Sequence, residues 1–169
     1  DLILYVCGKY LKEHGELSNN TIVTTIMSNL GLYKALDKEG IKYEKTAVGD
    51  KYVNENMVKN GHCIGGEQSG HIIFLDENTT GDGLLSALHL LQVMTETKKK
   101  LSELASIMEV LPQALVNAKV PNHKKEHFEE YAEIAEAIAE VEAKFAGEGR
   151  VLIRPSGTEP LVRVMIEGK

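Results

Sequence analysis

Apolar positions follow two rhythms along the chain. Over residues 2–13, Ile3, Val6, Cys7, Tyr10 and Leu11 recur at spacings of three and four, which predicts an amphipathic helix. The β-branched run Thr21-Ile22-Val23-Thr24-Thr25-Ile26, bounded by Asn19-Asn20, predicts a strand. Ser28 is the expected cap of a helix that runs through Tyr33, Leu36 and Asp37 and stops at Gly40. Residues 41–48 then read as a strand and 50–58 as a short helix. Such alternation predicts an α/β layer with some parallel pairing. Two short apolar strands follow, at 62–64 and 72–75, joined by Gly65-Gly66-Glu67-Gln68-Ser69-Gly70. Thr80-Gly81-Asp82-Gly83 opens a long apolar helix through Leu84, Leu85, Leu88, Leu91 and Met94, with Asp82 as its starting residue. Lys98-Lys99-Lys100 suits its solvated C-terminal end, where the helix dipole favours cations, and 102–109 adds a short helix.

Pro112 marks the expected boundary between two units, 1–109 and 112–169. The second unit reads as a strand (114–120), a helix (124–146) and two strands (151–153 and 161–166) flanking a loop. Phe128, Tyr131, Ile134, Ile138, Val141 and Phe145 fit one helical stripe. The expected fold is therefore α/β: a three-layer domain built on a mixed sheet, followed by a smaller α+β domain. The chain opens inside a helix without an initiator Met and stops just after an apolar strand. Both features lead us to expect an excerpt of a longer protein, with the first unit truncated at its start and the second at its end.

Composition narrows the function classes. An apolar content of 43% with 26% charged residues predicts a packed core, and no apolar run is long enough to span a membrane. A formal net charge of −6 excludes a general nucleic-acid binder, which needs a basic surface to neutralise phosphates. Two cysteines, Cys7 and Cys63, make no disulfide framework, so a reducing cytoplasm is the simplest setting.

Two segments carry chemistry. Arg154-Pro155-Ser156-Gly157-Thr158-Glu159-Pro160 sits between predicted strands, with Arg163 on the returning one. Gly157 exposes backbone N–H groups, Ser156 and Thr158 add hydroxyl donors, and the guanidinium of Arg154 matches a phosphate. Arg163 can approach from the side, and the two prolines stiffen the loop. By composition alone, an ordinary hairpin turn with surface arginines fits equally well. The second segment, Gly65 to His71, sets three glycines between apolar strands, open to close approach by a ligand. Glu67 and Ser69 offer an acceptor and a donor–acceptor suited to vicinal hydroxyls. Standing alone it would read as a flexible polar hairpin, and His71 as structural. His62, His89, Cys7 and Cys63 read as packing residues. His123 and His127, four apart around Lys124-Lys125-Glu126, read as a solvated helix face rather than a metal site.

Together the two loops resemble the phosphohexose mutase superfamily, and within it the branch acting on glucosamine phosphates. The stretches Thr25-Ile26-Met27-Ser28-Asn29-Leu30-Gly31 and Thr46-Ala47-Val48-Gly49-Asp50-Lys51-Tyr52-Val53 point to the same branch. The resemblance runs over essentially the whole chain. It implies a four-domain enzyme, of which 1–109 would be most of the third domain and 112–169 part of the fourth. It implies phosphate binding by Arg154, Ser156, Gly157, Thr158 and Arg163, and sugar contacts from Glu67 and Ser69 with the backbone of Gly66 and Gly70. Asp50 and Lys51 would face the cleft. The implied reaction converts glucosamine 6-phosphate into glucosamine 1-phosphate through a phosphoserine and a bisphosphorylated sugar, assisted by Mg²⁺. The catalytic serine segment and the Asp-rich metal loop of that family have no counterpart here, so the chain is expected to bind without catalysing. Its implied partners are the hexosamine phosphate and the first and second domains of the same enzyme. Alternative readings are a phosphoglucomutase or phosphomannomutase piece and a non-catalytic sugar-phosphate-binding module.

Overall fold

A computed structural model describes residues 1–169, the side chain of Glu129 excepted. The chain divides into two compact units, Asp1–Val110 and Leu111–Lys169.

The first unit runs α1 (Leu2–Glu13), β1 (Thr21–Thr25), α2 (Leu30–Glu39), β2 (Lys42–Thr46), α3 (Asp50–Asn60), β3 (Ile64–Gly66), β4 (Ile72–Phe74), α4 (Gly83–Thr97) and α5 (Leu101–Ala105). Its sheet has the order β2-β1-β3-β4; β1 lies parallel to β2 and β3, and β4 is antiparallel to β3. Every residue of β1 is buried, as a central strand covered on both faces requires. On one face Ile22, Ile64, Ile72 and Phe74 join Leu4, Tyr5, Leu32, Leu36 and Val93 from the helices. On the other, Val23 and Ile73 pack with Val53 and Met57 of α3. The unit is thus three layers, helix–sheet–helix, around a mixed sheet. Among the described residues no helix is long and apolar enough to cross a membrane.

Local chemistry fixes the element ends, with two departures from the sequence reading. Asn29, not Ser28, caps α2: its Oδ1 accepts from Gly31 N–H at 2.9 Å. Ser28 is fully buried and hydrogen-bonds the Thr24 hydroxyl instead. Helix α4 is apolar all round, so it cannot bury every leucine. Leu85, Leu90 and Met94 pack on the core around Val93, while Leu84, Leu88 and Leu91 are exposed. Its start is as expected, since Asp82 Oδ1 accepts from Leu84 N–H at 2.9 Å and Leu85 N–H at 3.0 Å.

The second unit comprises β5 (Gln113–Lys119), a 3-10 helix (Lys125–Glu130), α6 (Ala132–Phe145), β6 (Arg150–Pro155) and β7 (Leu161–Glu167). The three strands form an antiparallel sheet of order β5-β7-β6. The helix expected over 124–146 is broken at Tyr131, whose extended backbone (φ −91°, ψ 113°) separates the 3-10 turn from α6. Apolar spacing carries through the break, which is why periodicity alone joins the two pieces. At one end of the sheet, Glu167 is buried and held by Arg150 Nε at 2.8 Å and Gln113 Nε2 at 2.9 Å.

Candidate functional site

In the first unit the β3–β4 turn carries the candidate sugar-binding residues. Gly65 and Gly66 end β3 and are buried. A side chain at Gly65 would meet Met57 Sδ at 2.6 Å, and one at Gly66 would meet His71 O at 2.4 Å. Packing, rather than the approach of a ligand, therefore requires these two glycines. Gly70 is the turn glycine, at φ 105° with open space around it. The turn is closed by Glu67 N–H donating to His71 O at 2.9 Å and Gly70 N–H to Glu67 O at 3.0 Å.

Glu67 is only 7% exposed, and its Oε1 accepts from Gly49 N–H at 2.9 Å. Gly49 takes φ 133° at the cap of α3, a conformation open to glycine, so Glu67 ties the β2–α3 loop to the β3–β4 turn. The sequence names both segments but not this bond between them. Glu67 Oε2 lies 3.7 Å from His71 Nδ1, and Ser69 Oγ is 3.1 Å from the same nitrogen. Ser69 and His71 are exposed. Asp50 and Lys51 open α3 beside Gly49; Asp50 Oδ1 accepts from Lys51 N–H at 2.8 Å and both side chains face solvent. Structure thus gathers Gly49, Asp50, Glu67, Ser69 and His71 on one edge of the first unit, at the loops that follow β2 and β3.

In the second unit, residues 156–160 connect β6 to β7. Arg154 and Arg163 are direct register partners across the ribbon, so both project from one face, together with Leu152 and Met165. Two like charges in that position repel. Glu159 offsets one of them, with Oε2 3.1 Å from Arg163 Nη2. The buried Nε of Arg163 has no partner among the described residues.

Ser156 is the knot of the loop. It is buried; its N–H donates to Leu161 O at 2.9 Å and its Oγ accepts from Glu159 N–H at 3.2 Å. The hydroxyl assigned to phosphate by sequence reasoning is therefore first a brace for the turn. Gly157 and Thr158 are exposed at the tip, and no acceptor among the described residues takes their N–H groups. Beneath the loop lies Lys125, 8% exposed, with Nζ 2.5 Å from Ser156 O and 3.4 Å from Glu159 O. Sequence reasoning placed Lys125 on a solvated face, and the structure corrects this. No local signal in the sequence marks this: the expected helix already starts after Pro121, and only the turn in which the Pro121 carbonyl accepts from Lys124 and Lys125 N–H carries Lys125 inward.

Among the described residues no group of three His, Cys, Asp or Glu side chains converges as metal ligands, and Asp82 has its carboxylate engaged in capping α4.

This three-layer unit followed by a small α+β unit defines a known class. Residues 1–111 match the family model described as phosphoglucomutase/phosphomannomutase, alpha/beta/alpha domain III. Residues 115–169 match the model of the phosphoglucomutase/phosphomannomutase C-terminal domain. The chain belongs to the phosphoglucomutase/phosphomannomutase family. Within it, the chain is 63% identical over 169 residues to a phosphoglucosamine mutase of Clostridium novyi (strain NT), covering 100% of this chain and 38% of that protein. The chain thus spans well under half the length of such relatives. Among solved structures it resembles N-acetylglucosamine-phosphate mutase in its substrate complex, with TM-score 0.78 and 22% identity, over 99% of this chain and 40% of that one. It also resembles Aspergillus fumigatus N-acetylphosphoglucosamine mutase in complex with GlcNAc-6P and magnesium, with TM-score 0.75 and 18% identity, over 99% and 42% of the two chains. At these identities the two structures establish the shared fold.

Proposed function

We propose that this chain is the substrate-gripping part of a phosphoglucosamine mutase, which interconverts glucosamine 6-phosphate and glucosamine 1-phosphate. In this reading the 154–163 loop holds the phosphate that is not being transferred, and the β3–β4 turn reads the sugar hydroxyls. The observation that carries it is the β6–β7 connection. Arg154 and Arg163 share one face there, and the N–H groups of Gly157 and Thr158 at the tip lack acceptors among the described residues. Two guanidinium groups and free backbone donors suit a tetrahedral dianion. The 63% identity to a phosphoglucosamine mutase of Clostridium novyi supports this choice of sugar.

Other domains of the intact enzyme supply the phosphoserine and the magnesium ion, and no step of this proposal passes through a metal in this chain. What these residues contribute is binding and orientation. Charge-assisted bonds fix one phosphate while Glu67, Ser69 and the backbone of Gly70 orient the ring, with Asp50 and Lys51 beside them. Without a nucleophile the chain alone turns over nothing.

Titration of the ¹⁵N-labelled chain with glucosamine 6-phosphate tests the reading. Amides of 154–163 and of 65–71 shift saturably at millimolar concentrations. Arg154→Ala weakens binding about tenfold, the loss expected for one charged hydrogen-bond partner. If neither loop responds, the reading is wrong.

A further inference from the structure

Residue Lys125 aims the phosphate loop. We infer that it is a positioning residue: its buried ammonium group turns the Ser156 carbonyl inward and so points the Gly157 N–H outward to receive a phosphate oxygen. The inference deepens the phosphate-loop reading above and rests on it.

The argument is one of peptide geometry. A trans peptide unit is planar, and its C=O and the following N–H point in opposite directions. Among the described residues every peptide bond is trans. Lys125 Nζ lies 2.5 Å from Ser156 O and 3.4 Å from Glu159 O. With the Ser156 carbonyl drawn down to that ammonium group, the N–H of Gly157 across the same peptide unit must face away from it. Gly157 is exposed, with nothing near its α-carbon on the side where a side chain would stand. The aim of this donor is therefore set from beneath, by a residue some thirty positions earlier in sequence. The second bond, to Glu159 O, anchors the far side of the turn, where Pro160 offers no N–H of its own.

Burial gives the arrangement a second consequence. A lysine at 8% exposure has little water of its own and relies on the two carbonyls for solvation. It leaves a fixed positive charge behind the donor, in surroundings that screen it less than bulk water would. Neither carbonyl neutralises that charge, so an anion settling on Gly157 N–H feels both the donor and the cation. Arg154 and Arg163 grip from the face of the ribbon; Lys125 acts through the peptide unit and never touches the ligand.

The test uses the whole chain, labelled with ¹³C and ¹⁵N, and inorganic phosphate as the probe. In the native chain the Ser156 carbonyl carbon has the downfield shift of a carbonyl bonded to a cation, and the Gly157 amide proton moves downfield saturably with phosphate. K125M moves the Ser156 carbonyl upfield before any phosphate is added, and then weakens phosphate binding about tenfold while shrinking the Gly157 response. K125R restores both signals to near the native values, whereas K125Q, a donor without charge, restores the carbonyl shift in part and the affinity hardly at all. If K125M fails to keep the β5-β7-β6 signals, the K125R and K125Q pair decides, and equal affinity of K125Q and native chain overturns the proposal. Native-like binding and an unchanged Gly157 response in a folded K125M overturn it as well. If the native chain itself shows no response over 154–158, the phosphate-loop reading is at fault and this inference falls with it. A response that is indifferent to Lys125 sinks this inference alone.

Discussion

Replacing Glu67 separates the scaffolding bond it makes to Gly49 from the binding role proposed for it. The carboxylate is 7% exposed and accepts from Gly49 N–H at 2.9 Å, joining the cap of α3 to the β3–β4 turn. A hydrogen bond to a charged group contributes about 1.5–3 kcal/mol when it is well sheltered. Gly49 is only half-buried, so water can take over part of the donor's need and the lower end applies. Glu67→Ala should therefore destabilise the first unit by about 1.5 kcal/mol, and Glu67→Gln, which keeps an amide oxygen at the same reach, by about 0.5 kcal/mol. For a unit of this size those figures translate to roughly 6 and 2 °C in the unfolding midpoint. The assay is thermal unfolding followed through resolved amides of β1 and α3, so that the second unit does not contaminate the transition. In binding, the order changes. Both variants lose the charged acceptor, so both weaken glucosamine 6-phosphate binding, while the amides of 154–163 respond to inorganic phosphate as before. Equal midpoints for Ala and Gln would refute the role of the Gly49 bond, and native-like sugar-phosphate binding by Glu67→Gln would refute the role of the charge.

The remaining predictions concern other parts of the first unit. Gly31→Ala would set a methyl group 1.8 Å from Glu109 O, so chemical denaturation should register a loss of about 1–3 kcal/mol, and an unchanged midpoint would show that the 109 backbone gives way freely. The N–H groups of Leu85 and Leu84 hold the Asp82 carboxyl below the usual aspartate range, with Asn78 adding to the effect. A depressed folded-state value means stabilisation that is complete above the unfolded value and disappears as pH falls through the folded one. The stability difference between native chain and Asp82→Asn should accordingly shrink on acidification below about pH 4, and a constant difference would contradict the capping role. Burial pushes the Cys7 thiol up to about 12, so a thiol reagent at neutral pH should label it only as fast as the first unit opens; rapid labelling in the folded chain would disprove its burial.

Much of this architecture is readable from spacing alone, and the failures share a cause. The amphipathic period of α1, the β-branched run of β1 and the Asp82 cap of α4 are local signals, each written within a few residues. Choosing between Ser28 and Asn29 as the cap of α2 is not local. Both residue types cap well, and the decision came from the Thr24 hydroxyl, which engages Ser28 in the buried sheet. The motif residues of both loops are likewise visible in order, but their geometry is not. Placing Arg154 opposite Arg163 depends on strand register, and a slip of one residue would send one of them to the other face. Lys125 was hidden for a further reason. Helical spacing persists through the break at Tyr131, so only the three-dimensional turn at Pro121 shows that this lysine points inward.

The strand order β5-β7-β6 has a consequence for how the second unit comes together. Its central strand, β7, is the last of the three in sequence, so β5 has no sheet partner until β7 exists. Pairing β6 with β7 closes only residues 156–160, whereas pairing β5 with β7 must span 120–160. Short closures cost less chain entropy and occur sooner, on the microsecond scale of hairpins. The ribbon bearing Arg154 and Arg163 is therefore the first part of the unit to assemble. The long-range strand adds later, and with it Gln113 reaches Glu167 and closes the end of the sheet. The 156–160 connection is thus closed by the fastest local step, and the sheet that carries it is completed by the slowest distant one.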